Sequence, residues 1–408
     1  MNGKSKHVWR RLVLTSVAIA GFLAVLHVAR NSKNVAARDS IQYWAAGRLL
    51  VHRQNPYDHE RVFQLERQQG YSESRPVVLR NPPWSLFMVA PLGLLSPFWA
   101  WFAWVAISFG SLVLGMRLCR KLYGGNSPRN LFSVVGYMFA PVLACLASGQ
   151  MGLVLMLGVV LFLAWESNHP FLAGAALILP FAKPHLLSLF FLTVLFWTII
   201  RRRREIAAGF LVAFAIALVL GLLLDPNAFR HYREMLHTAA IGEEFIPSLS
   251  GVIRLLFFHR TFWVQFVPMA AGLVWCTWFF FRRQHNWSWQ QQGPMLLVAS
   301  VLTAPYGWLP DESLLLPALL QAAAFAYDAR AAMTYRIKAG LVVCAFLNAV
   351  LLLMVGAGVP LWSGAYFWSS LLWFFGYCWG RTLMHSDGAA AAKDKVAASL
   401  SARSGSGQ

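Results

Sequence analysis

Polar residues interrupt otherwise apolar runs at Asp39, Asn55, Tyr57, Asp58, Arg80, Gln150, Lys183, His185, Arg254 and Asp311. A carboxylate such as Asp39 can take a proton from a hydroxyl as a bond forms. Lysine, arginine and histidine can meet an anion through charge-assisted hydrogen bonds. No Asp-x-Asp pair and no glycine-rich phosphate loop occurs, so nucleotide binding is not indicated. The carboxylates are dispersed and no cysteine pair has metal-ligand spacing, so neither a metal nor another cofactor is expected. The five cysteines read as small apolar residues.

What positions these residues follows from composition. Of 408 residues, 58% are hydrophobic and only 12% are charged. A soluble domain usually carries about 25% charged residues. That excludes a soluble enzyme, and the apolar content excludes a disordered chain. A polytopic membrane protein remains. The formal net charge of +19 resembles a nucleic-acid signal, yet the bases sit in short clusters at the ends of apolar runs. Such clusters (Arg117/Arg120/Lys121, Arg201 to Arg204, Arg282/Arg283) are topology signals, because basic residues are retained on the cytoplasmic side. No nucleic-acid partner is expected; membrane lipids are.

The runs are continuously apolar rather than alternating, which predicts helices and an all-α membrane fold. After a cytoplasmic N-terminus at 1–10, a first span is expected at 11–29, retained rather than cleaved as a signal peptide. A polar stretch at 30–80 follows as a long first outer loop, ordered because its composition is mixed and aromatic. Residues 83–95 read as a half-span or short tilted helix. Crossings follow at 98–116, 130–148, 151–165, 170–183, 186–200, 206–224, 262–281, 294–308, 312–327, 338–357 and 361–380. That gives about twelve spans in a single domain over 11–380, with both termini cytoplasmic. The tail, 381–408, is rich in Ala, Ser, Gly and Lys and reads as disordered.

This topology puts most of the excess positive charge inside. Loop 30–80 is an exception, being outside yet rich in arginine. Its bases either meet anionic groups or pair with Asp39, Asp58, Glu60, Glu66 and Glu73. The same topology carries the interrupting polar residues to the outer face. Ionisable groups at membrane depth are costly and are usually placed for function.

The loop reads Arg38-Asp39-Ser40-Ile41-Gln42-Tyr43-Trp44-Ala45-Ala46-Gly47-Arg48, then Asn55-Pro56-Tyr57-Asp58. It resembles the opening signature of glycosyltransferase family 87, whose members are polyprenol-phosphate-mannose-dependent mannosyltransferases and relatives with the GT-C membrane fold. Further elements resemble the family in the same order. They are Asn81-Pro82-Pro83-Trp84 through Pro91, Ser148-Gly149-Gln150-Met151-Gly152, Ala182-Lys183-Pro184-His185, Ser248-Leu249-Ser250-Gly251 to Arg254, and Thr303-Ala304-Pro305-Tyr306-Gly307-Trp308 with Asp311. Four positions depart from the pattern, one of them Asp311, which sits later than the usual acid. Asn81 replaces an aromatic, Gly152 stands where Asn is common, and Tyr306 stands where His is typical.

The resemblance implies transfer of mannose or another hexose from a polyprenyl-phosphate sugar to a lipid or glycan hydroxyl on the outer face, with inversion. A catalytic acid in the first outer loop is implied, and Asp39 is the residue at that place. Asp39 can equally open a helix as its N-cap. The substrate-binding candidates are Tyr43, Asn55, Tyr57, Asp58, Arg80, Gln150, Lys183, His185, Arg254, Tyr306 and Asp311. Of these, Asn55-Pro56-Tyr57-Asp58 is also a turn-type sequence that can close and orient the loop. Lys183 precedes a helix-breaking proline and can face a lipid phosphate or pair with a nearby acid.

Two other classes share this outline. A secondary transporter would show repeats and midplane polar sites; no repeat is visible here. A non-catalytic lipid-binding subunit would keep the fold without the activity of Asp39.

Overall fold

The computed structural model describes residues 38–238, 246–258, 261–330 and 333–381. The expected N-terminus, first span and C-terminal tail lie outside the described residues. Every regular element among the described residues is helical. In chain order these are α1 (Ser40–Val51), α2 (His59–Gln68), α3 (Leu86–Val89), α4 (Pro97–Tyr123), α5 (Arg129–Met138), α6 (Ala140–Ser148), α7 (Gly152–Trp165) and α8 (Pro170–Ala176). Then come α9 (Ser188–Ile200), α10 (Arg204–Leu224), α11 (Ala228–Thr238), α12 (Leu249–Phe257), α13 (Val267–Arg283), α14 (Trp289–Thr303), α15 (Leu316–Asp328), α16 (Tyr335–Gly356) and α17 (369–381).

Four stretches are long and apolar enough to cross a membrane: Pro97–Tyr123, Arg204–Leu224, Phe262–Asn286 and Tyr335–Gly356. They match the expected crossings at 98–116, 206–224, 262–281 and 338–357. Two bent pairs raise the number to six if each is one span. The expected crossing 130–148 is one of them, bent by 57° between Met138 and Ala140. The proline at the start of α6 supplies no N–H to continue the ladder. Asn348 repairs the break: its Oδ1 accepts the Ala140 N–H at 2.9 Å and its Nδ2 donates to the Met138 carbonyl at 2.7 Å. The other pair joins the expected crossings 170–183 and 186–200 and turns through 118° at Lys183. The remaining expected spans are shorter. Residues 83–95 form two 3-10 turns around α3, and α7 is an apolar helix too short for a full crossing. The described residues therefore hold four to six candidate spans where about twelve were expected over the whole chain.

The described chain divides into two compact units. One contains residues up to Ala106 together with Leu218–Ala239. Here α1 is buried on nearly every side, with Ile41, Tyr43, Ala45, Ala46, Leu49 and Leu50 in the core. It lies against the 3-10 turn Ala90–Leu94, where Gly47 and Gly93 let two backbones touch: a Cβ on either would strike the other's main chain. Trp44 Nε1 donates to the Leu95 carbonyl at 3.0 Å and closes the contact. Loop 30–80 is thus ordered over its described part, as its composition predicts.

The other unit contains Ile107–Ala217 and Ala240–Gln408. Its centre is α7, whose Leu153, Leu155, Met156, Val159, Val160 and Phe162 are fully buried. Gly152, at the start of α7, abuts Ser313 and the Pro310 carbonyl in the 3-10 segment Leu309–Leu315. An asparagine side chain would not fit there, which gives a packing reason for glycine at this position.

Candidate active site

The candidate residues fall into two constellations, one in each unit. In the first unit, Asp39 occupies the N-cap position of α1, yet its carboxylate makes no capping hydrogen bond to the helix. The carboxylate lies close enough to Tyr71 to help hold that phenol's pKa above its ordinary value; burial is the larger cause and Glu66 and Glu73 add to it. Asp39 is half-buried, and Arg38 beside it covers the Trp101 ring with 4.9 Å between guanidinium and ring centre.

Tyr43 is sealed in the core and packs on Trp104, with ring centres 5.0 Å apart. The Asn55-Pro56-Tyr57-Asp58 turn is held by its own side chains. Asn55 Oδ1 accepts the Tyr57 N–H at 2.9 Å. Tyr57 is buried and donates its hydroxyl to the Asn81 carbonyl at 2.9 Å. Asp58 caps α2, accepting from the Glu60 and Arg61 amides, and pairs with Arg61. Among the loop acids thought to pair with its arginines, Asp58 does so, whereas Glu66 does not. Glu66 is fully buried, accepts the Val77 N–H at 3.2 Å through Oε2, and leaves Oε1 without a hydrogen-bond partner. Burial pushes its carboxyl up to about 8. Arg80 lies near His59, whose ring is held below the usual histidine range by burial and then by that guanidinium.

In the second unit the chain break at Lys183 does the positioning. Two 3-10 turns, Pro180–Ala182 and Pro184–Leu187, flank it, each with proline near its start. Lys183 Nζ reaches Asp311 Oδ1 at 2.7 Å and Gln150 Oε1 at 3.2 Å. Asp311 Oδ2 accepts the Trp308 N–H, so both carboxylate oxygens are engaged. Gln150 is aimed by Gly149, whose φ of 73° ends α6 in the left-handed region that favours glycine. The His185 and Tyr306 rings pack beside this cluster with centres 4.4 Å apart and planes tilted by 44°. Arg254 is buried on α12 with its guanidinium 5.8 Å from the Phe262 ring centre.

Three candidates distant in sequence, Gln150, Lys183 and Asp311, therefore meet, with His185 and Tyr306 as a second pair. The cluster's charge is internally balanced: Lys183 faces Asp311 and not open solvent. A charge pair this deep needs its partner; removing one member of a buried pair typically costs about 3–5 kcal/mol.

Sequence reasoning overlooked two groups. Glu312, next to Asp311, is buried and accepts from Ser369 Oγ at 2.6 Å and Trp373 Nε1 at 2.8 Å. An acid interrupting an apolar run was the available signal. Asp225 and His231 form a second dyad, with Oδ2 and Nδ1 2.7 Å apart. Their polar surroundings at the end of an apolar helix gave little contrast to notice.

Comparison with known proteins gives one family. The model described as glycosyltransferase family 87 matches residues 80–309. The matched segment holds Arg80, Gln150, Lys183, His185, Arg254 and Tyr306, while Asp39 and Asp311 lie outside it. No curated protein and no solved structure matches the chain.

Proposed function

The chain belongs to glycosyltransferase family 87 and is a membrane-associated glycosyltransferase, and from that premise we propose that it transfers mannose, or another hexose, from a polyprenyl-phosphate sugar to an acceptor hydroxyl on the outer face. The observation that carries the mechanistic reading is Asp39, a half-buried carboxylate at the N-cap position of α1, where the resemblance implies the catalytic acid.

In the proposed step the acceptor oxygen bonds to the anomeric carbon while the bond from that carbon to the phosphate oxygen breaks. The departing electron pair stays on the polyprenyl phosphate. The hydroxyl proton passes to Asp39. One displacement with no covalent intermediate inverts the anomeric centre. The carboxylate also stabilises the oxocarbenium-like charge at that carbon, as carboxylates do in sugar transfer.

Negative charge grows on the leaving phosphate, and cations aimed at it lower the barrier. Arg80, Lys183 and Arg254 are assigned to this role, with His185 as a hydrogen-bonding group toward the phosphate. Lys183 shares its charge with Asp311, so in this reading a donor phosphate competes with that carboxylate for the ammonium. Gln150 and Asp311 then hold the cation in place, and Tyr306 packs on the His185 ring. In this reading both termini are cytoplasmic and the loop at 30–80 is outside, as the clustering of basic residues at the ends of apolar runs supports.

The test is a transfer assay on purified, membrane-reconstituted protein with labelled polyprenyl-phosphate-mannose and candidate lipid and glycan acceptors. Formation of an inverted mannoside supports the reading. Release of free sugar flux across proteoliposomes without transfer would overturn it in favour of a transporter.

A further inference from the structure

Hydropathy leaves residues 225–261 outside every expected span, yet one helix there is built inside out for water. α12 has nine residues, about 14 Å at 1.5 Å per residue, so it cannot cross a hydrocarbon layer of about 30 Å. The side chains it buries against the protein are those of Ser250 and Arg254, with Gly251 between them. Those it exposes are Leu255, Leu256 and Phe257, followed by Phe258 at its end. A helix at a water surface does the reverse, turning its apolar stripe inward and its charges out. Residues 255–258 are consecutive, so they point to all sides of the last turn. A turn that is apolar all round belongs inside protein or inside lipid. Leu256 at 68% and Phe257 at 70% exposure are not inside protein.

The apolar turn runs into a surface that faces lipid on other grounds. Phe262–Asn286 is a candidate span, and it starts with the 3-10 turn Phe262–Phe266, against which α12 packs. The Thr261 N–H donates to the Phe258 carbonyl at 2.7 Å, so the chain passes tightly from one to the other. Trp263 is 75% exposed, and Val267 and Val274, four and eleven residues on, continue its face along the span. Tryptophan at the mouth of a span is an interfacial anchor. Continuity with the span gives the 255–258 turn one occupant, the lipid chains that cover the span itself.

Arg254 faces the other way. It is buried, with its guanidinium 5.8 Å from the Phe262 ring centre. In the same 3-10 turn Gln265, wholly buried, donates through Nε2 to the Pro305 carbonyl. Pro305 precedes Tyr306, whose ring packs on Phe266 and on His185. The turn therefore joins α12, with Arg254 on its protein side, to the loop beside the Lys183 cluster.

We propose that α12 is a re-entrant helix set in one leaflet, its 255–258 turn covered by lipid chains, and that Arg254 beneath it draws lipids with anionic headgroups to this side entrance of the site. A cation held near the membrane surface attracts such headgroups. The role of Arg254 rests on its assignment to the donor phosphate; the placement of α12 does not.

The experiment uses the full chain in nanodiscs of equal parts phosphatidylcholine and phosphatidylglycerol with identical acyl chains. p-Benzoylphenylalanine replaces Leu256 or Phe257, with Val274 on the span as the lipid reference and Glu60, exposed on α2, as the water reference. Irradiation bonds the probe to the C–H group lying against it, and mass spectrometry of the peptides names the adduct. Lipid adducts at Leu256 and Phe257 are expected at a yield like that of Val274. A yield like that of Glu60, or cross-links to a second copy, would overturn the placement of α12. Phosphatidylglycerol is expected in these adducts about five-fold over phosphatidylcholine, the effect of one basic residue near a membrane surface. At Val274 the two should appear at the bulk ratio. High salt in the parent, and Arg254→Gln, should each bring the α12 adducts toward that ratio. A bulk ratio in the parent, or an enrichment that survives both, would overturn the role of Arg254. Neither readout involves transfer, so its failure is distinct from failure of the transferase reading.

Discussion

Lys183 Nζ and Asp311 Oδ1 stand 2.7 Å apart, joining the hinge of a bent helical pair to a 3-10 segment far along the chain. Both side chains are largely withdrawn from solvent, at 13% and 3% exposure. Lys183→Gln or Asp311→Asn alone should destabilise the protein by about 3–5 kcal/mol, because each leaves the other charge buried and unpaired. The double variant should regain most of that loss. If Lys183 also meets the donor phosphate, the double variant will still show a raised KM for the lipid donor and a lowered kcat. Melting temperature and donor dependence measured on the same sample decide this; a parent-like donor KM in the double variant would make the pair purely structural.

Asp39→Asn preserves shape and removes the base. Since the two side chains are near-isosteric, the substitution should preserve folding and membrane insertion. Transfer should fall about 10²-fold or more. Near-parent turnover would remove Asp39 from the mechanism.

Glu66 sets a pH dependence with a definite sign. Its folded pKa of about 8 lies above the ordinary 4.5. Between those values the unfolded chain has lost the proton and the folded chain retains it. Stability should therefore be fully present below about pH 4.5, decline as pH rises, and level off above about pH 8. Glu66→Gln, which cannot ionise, should flatten that slope. Hydrogen exchange of α2 amides across this pH range is the direct measurement, and an unchanged slope in the variant would refute the assignment.

The crossing of Gly47 and Gly93 admits no side chain. Gly47→Ala would press a methyl into the Val89 carbonyl and the Gly93 nitrogen, both main chain and unable to swing aside. Overpacking of this kind costs about 1–3 kcal/mol. Since α1 follows directly on Asp39, activity should fall along with stability. Thermal denaturation of Gly47→Ala beside Gly110→Ala, where a Cβ meets nothing, gives the comparison.

Hydropathy located the long spans because a lipid-facing helix is encoded locally: Arg204–Leu224 starts two residues before the expected limit, and Pro97–Tyr123 runs seven residues past the expected end. Pro184 likewise marked the break after Lys183. The angle of that break was invisible, since it depends on what the two limbs pack against. Pairings across long separations were invisible for the same reason. Lys183 announces a need for a partner without naming Asp311. Glu312 drew no notice because Ser369 and Trp373, its donors, look like ordinary members of an apolar helix. Short buried helices such as α7 read as crossings because burial in protein and burial in lipid select the same residues.

The hinge at Lys183 also bears on bilayer thickness. The limb Pro170–Ala182 is about 20 Å long at 1.5 Å per residue, against a hydrocarbon layer of about 30 Å. The limb that Arg201 to Arg204 would root at one surface, Pro184–Ile200, is about 25 Å long, which would leave the polar apex about 5 Å short of the opposite headgroups. Either the leaflet dips to meet the apex or water descends to it, and each Å of that mismatch carries an elastic cost. Shorter acyl chains would relieve the strain and longer ones would increase it, so the thickness of the surrounding membrane becomes a control on the occupancy of this site.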